Sequence, residues 1–151
     1  YCGAPKEIIA AMNKIQSLST TSTSSITMAA SVEAISGPQD FILDHNKKFI
    51  KRRDLVVSKL NEIDGITCSK PDGAFYVYPN CQDILGKITP NGKKISSDED
   101  FITYLLEDQG VAGVHGSAFG LSPYFRLSYA TSDHILEDAC NRIQLACIKL
   151  K

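Results

Sequence analysis

The sequence is poor in the features that mark several large classes of protein. It has no tryptophan, and its 16 lysine and arginine residues nearly balance 17 aspartate and glutamate residues, for a formal net charge of −1. This balance argues against nucleic acid or an anionic membrane as the main partner. No apolar run approaches the roughly 18 residues that a membrane span needs. No basic segment followed by an apolar one opens the chain, so we expect no signal peptide.

Disorder, collagen and coiled coil are excluded as the main class, because 43% of the 151 residues are hydrophobic and 22% are charged. The length corresponds to about one domain. The five cysteines are an odd number without a disulfide framework, and the closest pair, Cys140 and Cys147, has helical spacing and not that of a zinc site. A reducing, cytoplasmic location is therefore expected, and no metal site is predicted.

Apolar periodicity and helix-breaking residues predict the order α, α, long α, β, β, α, β, β, α. Helices are predicted over about residues 5–17, 26–36, 39–63, 97–110 and 132–151, and strands over 66–69, 74–78, 111–114 and 124–129. The residues after the long helix can form one small mixed or antiparallel sheet with helices packed on it, an α/β fold of the two-layer α+β type. Residues 1–38 contain no predicted strand, so their helices need another partner.

A serine- and threonine-rich tract follows the first helix. Nine of the eleven residues from Ser17 to Thr27 are Ser or Thr. One interpretation is a solvated linker, which the composition favours; the other is a loop whose hydroxyls and N–H groups surround an anion. A second polar feature is a basic cluster in the long helix, for which a solvated helix face is the favoured interpretation over nucleic-acid binding. The cluster consists of Lys47, Lys48, Lys51, Arg52 and Arg53.

Arg126 is the most informative single residue. It lies in the middle of the predicted strand Tyr124–Tyr129, where alternation places it on the face of Tyr124 and Ser128. A guanidinium in such a strand must be paired or exposed, because a buried unpaired charge is costly. Its planar fork suits a carboxylate ligand. The alternative is an edge-strand arginine that pairs with an internal Asp or Glu, and the pattern alone leaves both open.

No convincing catalytic group accompanies Arg126. His115 begins a glycine-rich loop, but the loop has neither a Gly-Lys-Ser/Thr ending nor the Gly-x-Gly-x-x-Gly pattern of a phosphate site. No nucleophile elbow or pair of metal-binding histidines is present. The acids at 98–100 suit the first turn of a helix, where Ser97 and Asp100 form a variant of the capping box, and Ser132 is predicted to cap the last helix. On the residues alone, a small-molecule-binding module is as good a hypothesis as an enzyme.

Several motifs in fixed order give the chain a family resemblance. Residues 1–9, Pro71-Asp72-Gly73-Ala74-Phe75-Tyr76, residues 116–120 and Phe125-Arg126-Leu127-Ser128-Tyr129-Ala130 together resemble the C-terminal part of class I pyridoxal-phosphate aminotransferases. Within that family, the chain is most similar to the bacterial aspartate aminotransferase branch. The resemblance covers nearly the whole chain. It implies fold type I, with the end of the large domain at 1–38, a long interdomain helix at 39–64 and the small domain at 65–151.

The resemblance also implies an activity, in which an amino group passes between an amino acid and a 2-oxo acid in a homodimer. The family's Schiff-base lysine and a phosphate-binding arginine would precede Tyr1. We therefore expect a fragment with no catalytic residue of its own, no pyridoxal phosphate bound to it alone and no activity in isolation. A stand-alone amino-acid-binding or carboxylate-binding module, or another fold type I enzyme such as a lyase or a decarboxylase, remains the alternative.

Four residues receive roles from the resemblance. Arg126 matches the arginine that binds the substrate α-carboxylate, and Phe119 matches a residue at the active-site mouth. Thr21 and Ser22 match a loop that reaches the cofactor phosphate of the neighbouring subunit. One departure concerns specificity: some branches carry an arginine for a second carboxylate in this segment, and this chain has Ser17 near that position. A preference for dicarboxylates must then come from elsewhere or be absent.

Overall fold

The computed structural model describes residues 2–151; Tyr1, with which the matched segment 1–9 begins, lies outside the described residues. The chain forms two compact units that meet in the sequence between Ile42 and Leu43, in the first turn of the third helix. The helices are α1 Lys6–Ser19, α2 Ser25–Ser36, α3 Asp40–Asn61, α4 Asp98–Gln109 and α5 Asp133–Ile148, and the strands are β1 Tyr76–Val77, β2 Val114–His115 and β3 Phe125–Ser128. Two short 3₁₀ turns cover Gln82–Ile84 and Gly116–Phe119.

The first unit contains α1 and α2, and its connection is shorter than the linker that composition favoured. Only residues 20–24 separate the two helices. The prediction of a linker over the whole serine- and threonine-rich tract is therefore wrong for its two ends, residues 17–19 and 25–27, which are helical. The hydroxyl of Ser17 donates to the carbonyl of Lys14 at 2.9 Å, which allows serine to continue a helix. Neither helix buries a side chain among the described residues.

The second unit is built on a three-stranded antiparallel sheet in the order β1-β3-β2. Tyr76 lies opposite Ser128, and Val114 lies opposite Arg126. The small antiparallel sheet is confirmed, but its strands are shorter than predicted, and the expected strand at 66–69 reduces to a single bridge between Thr67 and Asn80. Proline follows β1 closely at Pro79, and a proline cannot donate to a strand ladder.

One face of the sheet packs against helices and forms the core. Phe125, on β3, is fully buried and meets Phe101 of α4 edge to face, with ring centroids 5.5 Å apart. Leu60 of α3 and Ile143 of α5 are also fully buried in this core. The alternation predicted for β3 therefore holds: Phe125 points into the core, and its neighbour Arg126 points to the other face.

Helix α4 begins with the capping arrangement that its sequence predicts. The hydroxyl of Ser97 accepts the Asp100 N–H at 3.1 Å. The Asp100 carboxylate returns to the N–H of Ser96 instead of that of Ser97, also at 3.1 Å. Gly110 ends the helix in the left-handed conformation. The corresponding prediction for α5 is wrong: Ser132 occupies the N-cap position, but its buried hydroxyl has no hydrogen-bond partner among the described residues.

The basic cluster of α3 is a solvated face only in part. Arg52 binds Asp133, at the start of α5, with 2.9 Å between Nε and Oδ1. Arg53 binds Asp54 at 2.9 Å and donates to the carbonyl of Pro71 at 3.2 Å. These two half-buried arginines hold α3 against distant parts of the second unit, which corrects the expectation that the whole cluster is solvated.

Candidate functional site

The sheet face opposite the core helices carries a group of aromatic side chains around Arg126. Tyr76 and Tyr78 alternate with the fully buried Val77, so both lie on this outer face. Tyr78 stacks on Tyr124 with ring centroids 5.5 Å apart and an interplanar angle of 13°. A charged side chain thus lies in aromatic surroundings.

Two of these rings sandwich the guanidinium of Arg126. Its Cζ lies 4.5 Å from the ring centroid of Tyr76 and 4.5 Å from that of Phe119. Stacking on aromatic faces stabilises the cation and restricts its plane. Because rings cover the two faces, the N–H groups at the edge of the guanidinium are the part that can bind a ligand. We call Arg126, Tyr76 and Phe119 the Arg126 site.

Arg126 lacks an anionic partner, unlike the other arginines of the chain. Arg52, Arg53 and Arg142 each pair with an aspartate at 2.8–2.9 Å. No ion pair or hydrogen bond joins the guanidinium of Arg126 to any residue in the described range 2–151. The internal ion pair that the sequence left open is therefore not formed with a described residue, and a half-buried guanidinium remains available for an external anion.

Phe119 reaches Arg126 from the Gly116–Phe119 turn, which several contacts hold in place. The Gly116 N–H donates to the carbonyl of Tyr124 at 2.7 Å, and the Tyr78 hydroxyl donates to the carbonyl of Gly116 at 3.2 Å. Glycine is required there, because a Cβ would lie 2.1 Å from the Leu121 carbonyl oxygen. The structure thus brings Arg126 and Phe119 together, two residues to which the resemblance assigns separate roles.

Three residues in the Arg126 site or in contact with its Gly116–Phe119 turn were not recognised in the sequence. The alternation in the sequence indicated only that Tyr76 and Tyr78 share a strand face. It predicted that the two tyrosines lie close to each other but not that either contacts Arg126. Asp98, whose carboxylate accepts the Ser117 N–H at 2.9 Å, gave no signal in the sequence, because acids are common in a first helical turn. Burial raises the pKa of Tyr78, as does the charge of Asp98, whereas Arg126 lowers it. The phenol therefore stays protonated and donates its hydrogen bond.

His115, also noted in the sequence, contacts the neighbouring turn and not the guanidinium. Its Nδ1 lies 2.6 Å from the hydroxyl of Ser117. Its side chain forms no hydrogen bond or ion pair with Arg126 within the described chain. The histidine has no assigned part in the Arg126 site.

Thr21 and Ser22 belong to the first unit. Their N–H groups donate within the connection, to the carbonyls of Gln16 and Thr20 at 2.9 and 2.8 Å. Thr21 has a left-handed backbone with φ of 67°. Their exposed side chains have hydroxyls with no hydrogen-bond partner among residues 2–151, so these hydroxyls are free to donate to a phosphate. Two neutral donors fit a supporting role at a phosphate but do not form a complete site for a doubly charged group.

Metal-ligating clusters and membrane-length apolar helices are both lacking in the described part of the chain. No group of three or more His, Cys, Asp or Glu residues there could hold a metal ion. Within the same residues, no helix combines the length and the apolar character needed to cross a bilayer.

Comparisons with known proteins agree with one another. The family model described as aminotransferase class I and II matches residues 1–143. An aspartate aminotransferase of Rhizobium meliloti (strain 1021) is 55% identical over 99% of this chain, and the match covers 37% of that protein. An aspartate/prephenate aminotransferase of Cereibacter sphaeroides is 53% identical over 99% of this chain, with 38% of its own length covered.

Solved structures give the same result. The crystal structure of the aspartate aminotransferase from Rhizobium meliloti matches with a TM-score of 0.96 and 55% identity, over 99% of this chain and 37% of that one. The aspartate aminotransferase from Thermus thermophilus with maleate matches with a TM-score of 0.80 and 34% identity, over 96% and 35% of the two chains. The chain thus spans little more than a third of the relatives it matches.

Proposed function

Because the chain belongs to the class I and II aminotransferase family, we propose that it acts as the C-terminal part of an aspartate aminotransferase-like enzyme. That enzyme transfers an amino group between an amino acid and a 2-oxo acid. Residues 1–38 are then the end of the large domain, 39–64 the interdomain helix and 65–151 the small domain. The fold supports this proposal, since its helices and small antiparallel sheet match those of solved aminotransferases of fold type I.

The observation that carries the proposal is the unpaired, ring-flanked guanidinium of Arg126. It binds the α-carboxylate of the amino acid through two parallel N–H bonds, which fixes both the position and the plane of the carboxylate. A substrate held in this way keeps its Cα–H in one direction, and such orientation removes much of the entropic barrier to reaction. Tyr76 and Phe119 limit the motion of the guanidinium and keep water from its two faces.

The cofactor of the complete enzyme is pyridoxal phosphate, which when bound withdraws electrons from the substrate Cα. This chain contributes no catalytic lysine to that chemistry. The hydroxyls of Thr21 and Ser22 donate hydrogen bonds to the cofactor phosphate in the neighbouring subunit of a homodimer. Their exposed hydroxyls, without a partner in the described chain, support this role.

The substrates are an amino acid and a 2-oxo acid. Of their functional groups, this chain binds only the α-carboxylate. The serine and threonine tract holds no arginine for a second carboxylate. A preference for dicarboxylates such as aspartate therefore comes from residues outside this tract or is absent. The enzyme works in the cytoplasm, in line with four buried cysteines that remain free thiols.

The test uses the product of the complete open reading frame that contains this segment. Pyridoxal phosphate is added first, then aspartate, and the absorbance of the bound cofactor is followed. A cofactor spectrum that changes on addition of aspartate, with oxaloacetate as the product, supports the aminotransferase. If the absorbance of the bound cofactor does not change with aspartate but another amino acid is converted, the enzyme uses a different amino donor or is a lyase or decarboxylase. Failure to bind the cofactor, or a reading frame that begins at this segment, favours a carboxylate-binding module.

A further inference from the structure

Asp98 is a buried carboxylate without a cationic partner. Its side chain belongs to the first residue of α4 and is only 1% exposed. Its Oδ1 accepts the Glu99 N–H at 3.1 Å, and its Oδ2 accepts the Ser117 N–H at 2.9 Å. No basic side chain forms an ion pair with it in the described chain. Burying a carboxylate is costly, so these two bonds must offset a substantial desolvation penalty.

The start of α4 does not account for this burial. Ser97 already supplies the N-cap through its bond with the Asp100 N–H, and Glu99 and Asp100 add negative charge to the same turn. An exposed acid would serve the helix dipole equally well. The oxygen that Asp98 directs away from its own helix reaches Ser117, 19 residues later in the chain. That bond is the one that needs an explanation.

The bond to Ser117 acts on the turn that carries Phe119. The ring of Phe119 is 50% exposed, so core packing does not determine where it lies. Its placement over Arg126 depends on an edge-to-face contact with Tyr78, with ring centroids 6.4 Å apart, and on the backbone of the Gly116–Phe119 turn. The Tyr78 hydroxyl holds the first residue of the turn, and Asp98 holds the second.

We propose that Asp98 is a positioning residue of the Arg126 site: its carboxylate fixes the Gly116–Phe119 turn and thereby keeps the Phe119 ring on the guanidinium. The proposal rests on the proposed function in so far as the anion is a substrate carboxylate. Without the bond, the turn moves, one face of the guanidinium opens to water, and the fork loses its fixed plane. Carboxylates then bind more weakly, although Asp98 touches neither ligand nor guanidinium.

The first test is nuclear magnetic resonance on the 151-residue chain without ligand. Rings on both faces shift the Arg126 Hε signal upfield, and Phe119→Leu gives the reference shift for loss of one ring. We expect Asp98→Ala, which removes both acceptor oxygens, to reproduce at least half of that reference shift. Glu99→Gln removes a neighbouring exposed charge from the same turn and should leave the signal in place. Unchanged methyl signals from the core show that each variant is folded.

The second readout is maleate binding to the same chain, where Asp98→Ala should raise the Kd 3- to 10-fold and Glu99→Gln should leave it within twofold. In the complete enzyme, Asp98→Ala should raise the KM for the amino acid by a similar factor and change kcat less than twofold. A merely structural role would lower the amount of folded protein but would not produce this split between KM and kcat.

An unchanged Hε signal in folded Asp98→Ala overturns the proposal, and this outcome would leave the Phe119→Leu reference and the cofactor titration unaffected. If that variant does not fold, Asp98→Glu, which keeps the charge but displaces the oxygens, takes its place. The unaltered chain offers a further check: a Ser117 amide that exchanges with solvent as fast as an unstructured amide excludes the bond itself. Loss of aminotransferase activity in every chain, with the ring shifts as expected, would refute the proposed function and leave the positioning role intact.

Discussion

Replacing Arg126 by alanine should weaken substrate binding far more than it weakens the fold. The guanidinium has no anionic partner in the described chain, so the substitution breaks no internal ion pair. What the fold loses is the pair of contacts with the rings of Tyr76 and Phe119. At a half-buried position these are worth about 0.5–1 kcal/mol each, so the free energy of unfolding should fall by about 1–2 kcal/mol.

The expected loss in substrate binding is larger. A bidentate fork makes two hydrogen bonds to a charged group, each worth about 1.5–3 kcal/mol. Taking the lower end, because the side chain is half-exposed, Arg126→Ala should lower kcat/KM by about 3 kcal/mol, or roughly 150-fold. Arg126→Lys keeps the charge but loses the fork, so it should cost roughly tenfold.

The assay is steady-state transamination by the complete enzyme, with unfolding in denaturant measured on the same preparations. Arg142→Ala is the matched control, because Arg142 is an exposed arginine that pairs with Asp138 on α5. It should leave kcat/KM within twofold. A kcat/KM of Arg126→Ala within threefold of the parent would refute the assignment of Arg126. So would an equal loss in the Arg142 control.

Three further outcomes can be measured on the chain itself. In the native chain one thiol, that of exposed Cys2, should react with a disulfide reagent within minutes at pH 8, because burial raises the pKa of the other four to about 11 or 12; four or five fast thiols would contradict the buried core. Ser97→Ala should lower the free energy of unfolding by about 1 kcal/mol in denaturant melts, and no change would show that the Ser97 cap does not stabilise α4. Arg52 and then Lys51 hold the pKa of the Asp133 carboxyl below its usual value, so its stabilising contribution is present above about pH 4 and is lost as the pH falls through the lowered pKa. Asp133→Asn should therefore flatten the acid limb of a stability-against-pH curve, and an unaltered limb would contradict that origin.

Local patterns were sufficient where the deciding partners lie a few residues apart. The five helices appear close to their predicted bounds, because apolar spacing and breakers such as Gly110 act within one or two turns. The N-cap at Ser97 could be predicted for the same reason, since its hydrogen-bond partner Asp100 lies three residues away. The strands were overestimated because their length depends on backbone partners elsewhere in the chain.

The candidate site could be predicted from the sequence only in part. Alternation placed Arg126 and Phe125 on opposite faces of β3, and the resemblance to aminotransferases gave Arg126 and Phe119 their expected roles. The sequence could not decide whether Arg126 pairs with an internal acid. It also predicted a solvated face for Arg52, whose partner Asp133 lies 81 residues away. Both questions concern which charges meet across the fold.

The sequence by itself determined the family, the helices and the strand face on which Arg126 lies, because motifs, periodicity and caps are properties of neighbouring residues. Only the tertiary structure decided that Arg126 lies between two rings without a described anionic partner, and that Asp98 reaches Ser117. The physical reason is that desolvation and pairing of a charge depend on every group packed around it. Those groups come from separate elements, and their meeting is a result of folding.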